Sequence, residues 1–104
     1  MKSYNDAYEM AIYLITLKEN IILIGPGCNG KTTLIRQLKH NNKLDDYTIL
    51  NPEYDSQTNT IDLKKEKFIT EANVYKDLVK FNSYRYKIVD MSHIHFSNDR
   101  PATN

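Results

Sequence analysis

Apolar residues recur along the start of the chain with the spacing of a helix: Tyr4, Ala7, Tyr8, Ala11, Leu14 and Ile15 fall on one face of residues 4–18. Ser3 with Asp6 three residues on has the form of a capping box, which fixes where that helix begins. Lys18-Glu19-Asn20 ends the pattern, and the unbroken apolar run Ile21–Ile24 predicts a short buried strand. Leu34, Ile35 and Leu38 predict a second helix, stopped at His40-Asn41-Asn42 because asparagine tolerates the left-handed cap position. Tyr47–Leu50 reads as a second strand, halted by Asn51-Pro52 because proline cannot continue the ladder. Residues 53–60 are polar and predict a loop, Ile61–Leu63 a short extended piece, and Lys64–Lys67 a solvated charge run. Phe68–Glu71 predicts a third strand. Asn73 is then placed to cap a helix that carries Val74, Leu78 and Phe81 at i, i+4 and i+7. Asn82-Ser83 turns the chain into a fourth strand, Tyr84–Met91, prolonged by Ser92–Phe96.

Strands alternating with helices imply an α/β fold, here a small three-layer sandwich with a mainly parallel sheet and its ligand at the carboxyl ends of the strands. At 104 residues the chain makes a single domain, 1–104, with a leading helix in 1–19 and a frayed tail at 98–104. The tyrosines of the leading helix are assigned to the core rather than to base stacking. A net charge of +1 gives no global case for nucleic acid as a partner, although a local patch is compatible with it. One cysteine excludes an internal disulfide and fits a reducing compartment. No apolar run is long enough for a membrane span and no secretory leader is evident, so a soluble, cytoplasmic protein is expected. The abundance of Ile, Lys, Asn and Tyr is the bias of an AT-rich coding sequence, low-GC or viral in source.

Between the first strand and the second helix lies Gly25-Pro26-Gly27-Cys28-Asn29-Gly30-Lys31-Thr32, which fits the phosphate-gripping pattern G-x-x-x-x-G-K-[ST]. Gly25 and Gly30 admit backbone angles that a Cβ forbids, so that successive N–H groups converge on an anion at the start of the helix. Pro26 stiffens the loop by fixing its own φ. Lys31 would bring a positive charge to the β and γ phosphates of ATP, and the Thr32 hydroxyl would ligate Mg²⁺, with Gly27, Cys28, Asn29 and Thr33 completing the cradle. Cys28 sits among amides beside a lysine, conditions that lower a thiol pKa, but it reads as loop filler.

Phosphoryl transfer also needs an acid to help hold the metal. Glu71, ending the third strand, is the first choice; Glu53 and Asp55 follow the second strand, and Asp90 follows Ile88-Val89. His93 and His95 share a strand face, but His40 is the only other histidine and no third zinc ligand is evident. Asn42-Lys43-Leu44-Asp45 has the spelling of a guanine-reading element, but it comes too early in the chain for that role.

A leading helix followed by Asn20-Ile-Ile-Leu-Ile-Gly25 and the loop resembles the P-loop NTPases of the additional-strand branch, which includes AAA+ ATPases and viral superfamily-three helicases. Phe68-Ile-Thr-Glu-Ala-Asn73 is similar to the helicases' motif C. The resemblance implies a P-loop NTPase fold, a sensor role for Asn73 at the γ-phosphate or its water, and Arg85 or Arg100 as an arginine finger toward a neighbouring subunit. The chain departs from the helicases in lacking a paired acidic Walker B and any collar or origin-binding region. The expected function is ATP binding with weak or partner-dependent hydrolysis, catalysed by Lys31, Glu71 and Asn73, with Thr32 and Glu71 on the metal. A homo-oligomer or a larger protein partner is expected to close the site. The alternatives are a small nucleotide or nucleoside kinase, disfavoured because only three arginines are present, and a non-hydrolysing nucleotide-dependent interaction module.

Overall fold

A computed structural model describes residues 3–26, 30–50 and 67–93. Its elements, in chain order, are α1 (Tyr4–Thr16), β1 (Ile21–Ile24), α2 (Lys31–His40), β2 (Tyr47–Ile49), β3 (Lys67–Ala72), a 3-10 helix (Tyr75–Phe81) and β4 (Lys87–Asp90). The four strands form one sheet in the order β2-β3-β1-β4, and all three pairings are parallel. β1 therefore lies inside the sheet, which is why its four residues are apolar on both faces and all buried.

The pleat divides the core in two. Ile21 and Leu23 of β1, with Ile69 and Val89, pack against Ala7, Ala11 and Leu14 of α1 and Leu34, Ile35 and Leu38 of α2. Ile22 and Ile24, with Phe68, Ala72 and Leu50, pack on the other face against Leu78 and Phe81 of the 3-10 helix. Phe68 stacks on Phe81 with ring centroids 5.4 Å apart. Tyr4 and Tyr8 of α1 are half-buried against the core with their hydroxyls bonded, whereas Tyr13 is exposed. Tyr4 donates to Gln37 Oε1, and Tyr8 accepts from Asn41 Nδ2, each at 2.6 Å, which ties α1 to α2.

The helix ends follow the chain's capping chemistry. Ser3 and Asp6 form both halves of the capping box on α1. Both α-helices close with the paired bonds of a Schellman turn. Lys18 N–H reaches Ile15 O and Glu19 N–H reaches Leu14 O after α1, and Asn42 and Lys43 repeat this on Lys39 and Leu38 after α2. The left-handed residue is Asn42 in the second turn, at φ 59°, but Lys18 in the first, at φ 60°. A lysine there bears a Cβ penalty that glycine lacks. Lys18→Gly is expected to stabilise the fold by about 0.5–1 kcal/mol, read as a raised midpoint in thermal unfolding; a lowered midpoint would contradict the assignment.

Two elements differ from the sequence expectation. The segment after β3 is a 3-10 helix capped at Val74 with no side-chain bond, so Asn73 is not its cap. Three residues per turn bring Leu78 and Phe81 onto one face, and Val74, which an α-helix would have aligned with them, is 45% exposed. β4 begins at Lys87 rather than Tyr84, because its partner β1 is preceded by Asn20, whose carbonyl takes the Lys87 N–H. It stops at Asp90, and Ser92-His93 turns rather than prolonging it. The expectations for 53–63, for Ser92–Phe96 beyond His93 and for the tail at 98–104 lie outside the described residues.

Candidate functional site

The loop leaves β1 at the carboxyl edge of the sheet, between β3 and β4, and returns as the first turn of α2. Gly30, the N-cap of α2, has φ 89° and ψ 12°, a left-handed conformation that favours glycine, and it offers no side chain to cap the helix's opening amides. Lys31 follows and is 2% exposed. Its Nζ donates to Gly25 O at 2.6 Å and Pro26 O at 2.8 Å, so the ammonium is folded under the loop it belongs to. Those carbonyls satisfy a charge that burial would otherwise penalise.

Strand register decides which acid meets the loop. Leu23 of β1 is level with Glu71 of β3 and Val89 of β4, whereas Ile24 is level with Ala72 and Asp90. Leu23 and Val89 face the α1/α2 side, and so does Ile69, two residues before Glu71. Glu71, next to last in β3, therefore faces the α2 side, where Thr32 lies in the first turn of the helix. The Thr32 hydroxyl donates to the Glu71 carboxylate, with Oγ1 at 2.9 Å from Oε2 and 3.2 Å from Oε1.

Asp90 is one residue out of phase and falls on the side of the 3-10 helix. It accepts from the Ser92 N–H at 2.9 Å and from the Tyr75 hydroxyl at 3.2 Å. Hydrogen bonds from Ser92 are the main cause that holds its carboxyl below the usual carboxylate range, aided by Tyr75 and by the nearby His93. The same bond raises the Tyr75 hydroxyl above its ordinary value. Asp90 thus belongs to a separate small network.

The structure brings together Gly25, Pro26, Gly30, Lys31, Thr32 and Glu71. Thr33 is exposed on the first turn of α2, and Asn73 is exposed in the bend two residues past Glu71, on the same edge of the sheet. Arg85 stands at the opposite, amino end, its carbonyl held by Asn20 Nδ2 at 2.8 Å. Gly27, Cys28, Asn29, Glu53, Asp55, His95 and Arg100 lie outside the described residues. Among the described residues, no three His, Cys, Asp or Glu side chains converge as a metal cluster.

Whether the residues suit Mg²⁺ and a nucleotide is a question of donor chemistry. The Thr32 hydroxyl and the Glu71 carboxylate stand one hydrogen bond apart, at 2.9 Å. A hydroxyl and a carboxylate are also the hard oxygen donors that Mg²⁺ takes, with water and phosphate supplying the rest. The helix amides and Lys31 complete the complement for an anion.

One organising residue gave no functional signal in the sequence. Asn20 is 8% exposed and serves three strands at their amino ends: Oδ1 accepts from Phe68 N, Nδ2 donates to Arg85 O, and its carbonyl accepts from Lys87 N. It reads locally as a helix terminator, yet it sets the alignment of β3 and β4 on β1, and through it the position of Glu71. No protein-family model matches the chain, and neither a curated protein nor a solved structure matches it.

Proposed function

We propose that the chain is an ATP-binding P-loop protein of the NTPase type that hydrolyses its nucleotide weakly, or only with a partner in place. The observation that carries this reading is the pairing of Thr32 with Glu71 beside the buried Lys31. Three residues, 40 positions apart at the extremes, converge at the strand end where a nucleotide's phosphates would lie.

Lys31 would exchange two loop carbonyls for phosphate oxygens, trading neutral acceptors for charged ones, which strengthens each bond. The helix amides at Gly30 and beyond would hold the same anion. Thr32 and Glu71 would hold Mg²⁺, which when bound neutralises charge that builds on the phosphate oxygens. Glu71 also fixes the Thr32 hydroxyl in the orientation that the site needs. Asn73, two residues past Glu71, would orient water, and it stands exposed on a bend rather than locked by packing; weak intrinsic turnover follows from that.

β1 and β3 pair directly, with no strand between the loop and its acid. The proposal therefore rests on the loop, the lysine and the strand-end acid and not on membership of the additional-strand branch. A helicase role finds no support in this arrangement. Self-association or docking on a larger protein would supply the missing side of the site, since the described residues provide no lid over the loop. No helix among them is long and apolar enough to cross a membrane.

Phosphate release from Mg-ATP and Mg-GTP, measured with and without candidate partners, tests the reading. Slow release that requires Glu71 supports it. Transfer of the phosphate to a nucleoside acceptor in place of water would replace it with the kinase reading, and tight binding without any release would leave an interaction module.

A further inference from the structure

The amino-terminal end of the sheet, opposite the loop, carries a concavity of about 360 Å³ lined by Glu19, Asn82, Tyr84, Arg85, Tyr86 and Lys87. β1 is four residues long, so at ~3.3 Å per residue about 13 Å of strand separates the two ends. We propose that this concavity is a second ligand site, for a nucleotide unit: a phosphate joined to a flat ring, either free or as part of a single strand. The inference stands independently of the P-loop reading.

The walls are held in place. Asn20 bonds the backbone on both sides of Tyr86, at Arg85 O and Lys87 N, each at 2.8 Å. The Tyr84 N–H donates to Phe81 O at 2.9 Å, and the Tyr84 ring meets Phe68 edge-on with centroids 6.1 Å apart. Tyr84 and Tyr86 are half-buried against the Phe68 cluster, so each presents part of a ring on a fixed base. A pre-positioned ring gains stacking energy without the ordering cost of a mobile one.

The polar groups are those a nucleotide unit needs. Arg85 and Lys87 are exposed and make no ion pair among the described residues, where the one salt bridge joins Lys18 to Asp46. They are donors for a phosphate. Glu19 and Asn82 line the same space and can accept from a ribose hydroxyl or an exocyclic amine. An acidic peptide would use the two cations, but it would face Glu19 and leave both rings without a partner. Aromatic residues alternating with cations along one strand entrance, Tyr84-Arg85-Tyr86-Lys87, favour the nucleotide.

The test uses the full chain, a fluorescein-labelled oligothymidylate of about ten nucleotides read by anisotropy, and thymidine monophosphate as competitor. Arg85→Glu with Lys87→Glu should weaken strand binding at least about tenfold and lower the salt slope by about 1.4, from two phosphate contacts at ~0.7 each. Tyr86→Leu, which keeps the packing against the core, should cost about tenfold through lost stacking. Arg85→Gln with Lys87→Gln repeats the charge test without reversal, should the first pair fold poorly. Lys31→Ala should leave strand binding unchanged, which separates this site from the loop. Displacement by the monophosphate means that a free nucleotide suffices; strand binding without displacement means that the strand is the ligand, and both support the proposal. Absence of binding by both probes overturns it, as does binding that survives both charge variants. Displacement by polyglutamate as effective as by oligothymidylate also overturns it, since the face would then be a docking patch for acidic protein.

Discussion

Lys31→Ala is expected to reduce affinity for Mg-ATP by about a hundredfold or more, the loss that follows when a charge-assisted contact to phosphate is removed from a buried position. Lys31 is 2% exposed and bonded to the Gly25 and Pro26 carbonyls, so the variant also leaves those acceptors short of a partner and loosens the loop. Lys31→Arg separates the two effects. It keeps the charge, but the planar fork needs more room than a lysine head that sits under the loop, and it should recover only part of the affinity. Calorimetric titration of each variant gives the comparison, with thermal unfolding as the control for fold. Wild-type affinity in Lys31→Ala would remove the lysine from the site.

Glu71→Gln is expected to lower nucleotide turnover by about 10²–10³-fold, because the carboxylate charge would act on the reacting phosphate through the Mg²⁺ it helps to hold, while the amide oxygen still accepts from Thr32. The isosteric change matters. Glutamine fits the strand end and retains the bond that orients the hydroxyl, so a fall in rate reports on the carboxylate itself. Asp90→Asn is the matched control, since Asp90 faces the 3-10 helix and bonds to Ser92 and Tyr75. It should leave turnover within about twofold of wild type. The measurement is phosphate release at saturating Mg-ATP. Equal loss in both variants would mean that strand register does not select the acid.

The parts legible in the sequence are those governed by short-range pattern. Ile21–Ile24 reads as a buried strand because both of its faces are covered, and α1 announces its start through Ser3 and Asp6. The loop's spelling gives Gly30, Lys31 and Thr32, and a carboxylate that follows an apolar run at a strand end points to Glu71. Other features depend on partners distant in sequence. Glu71 and Asp90 look alike locally, and only the parallel alignment of β3 and β4 on β1 sends them to opposite faces. Asn20 looks like a helix stop, and its role appears once three strands share its bonds. Asn73 has the residue type of a cap, but the three-residue turn that buries Leu78 and Phe81 starts after Val74 and leaves it out. The turn stacks Phe81 on Phe68 of the sheet beneath it, a contact between elements that local pattern does not carry.

The arrangement also gives the fold a simple logic. Asn20 sets the amino ends of β3 and β4 level with β1, the strands transmit that alignment over their length, and the carboxyl edge then presents Glu71 to Thr32. The four-stranded parallel sheet is small, and α1 and α2 cover one face while the 3-10 helix covers the other.

The most direct measurement is a calorimetric titration of the wild-type chain with ATP, performed with Mg²⁺ present and again with the metal chelated. A Thr32-Glu71 pair that holds the metal predicts saturable binding that tightens about tenfold or more with Mg²⁺, and a Thr32→Ala chain that loses most of that gain. No saturable heat in either condition, or an affinity indifferent to Mg²⁺ and to Thr32, would contradict a Mg-nucleotide site at the loop.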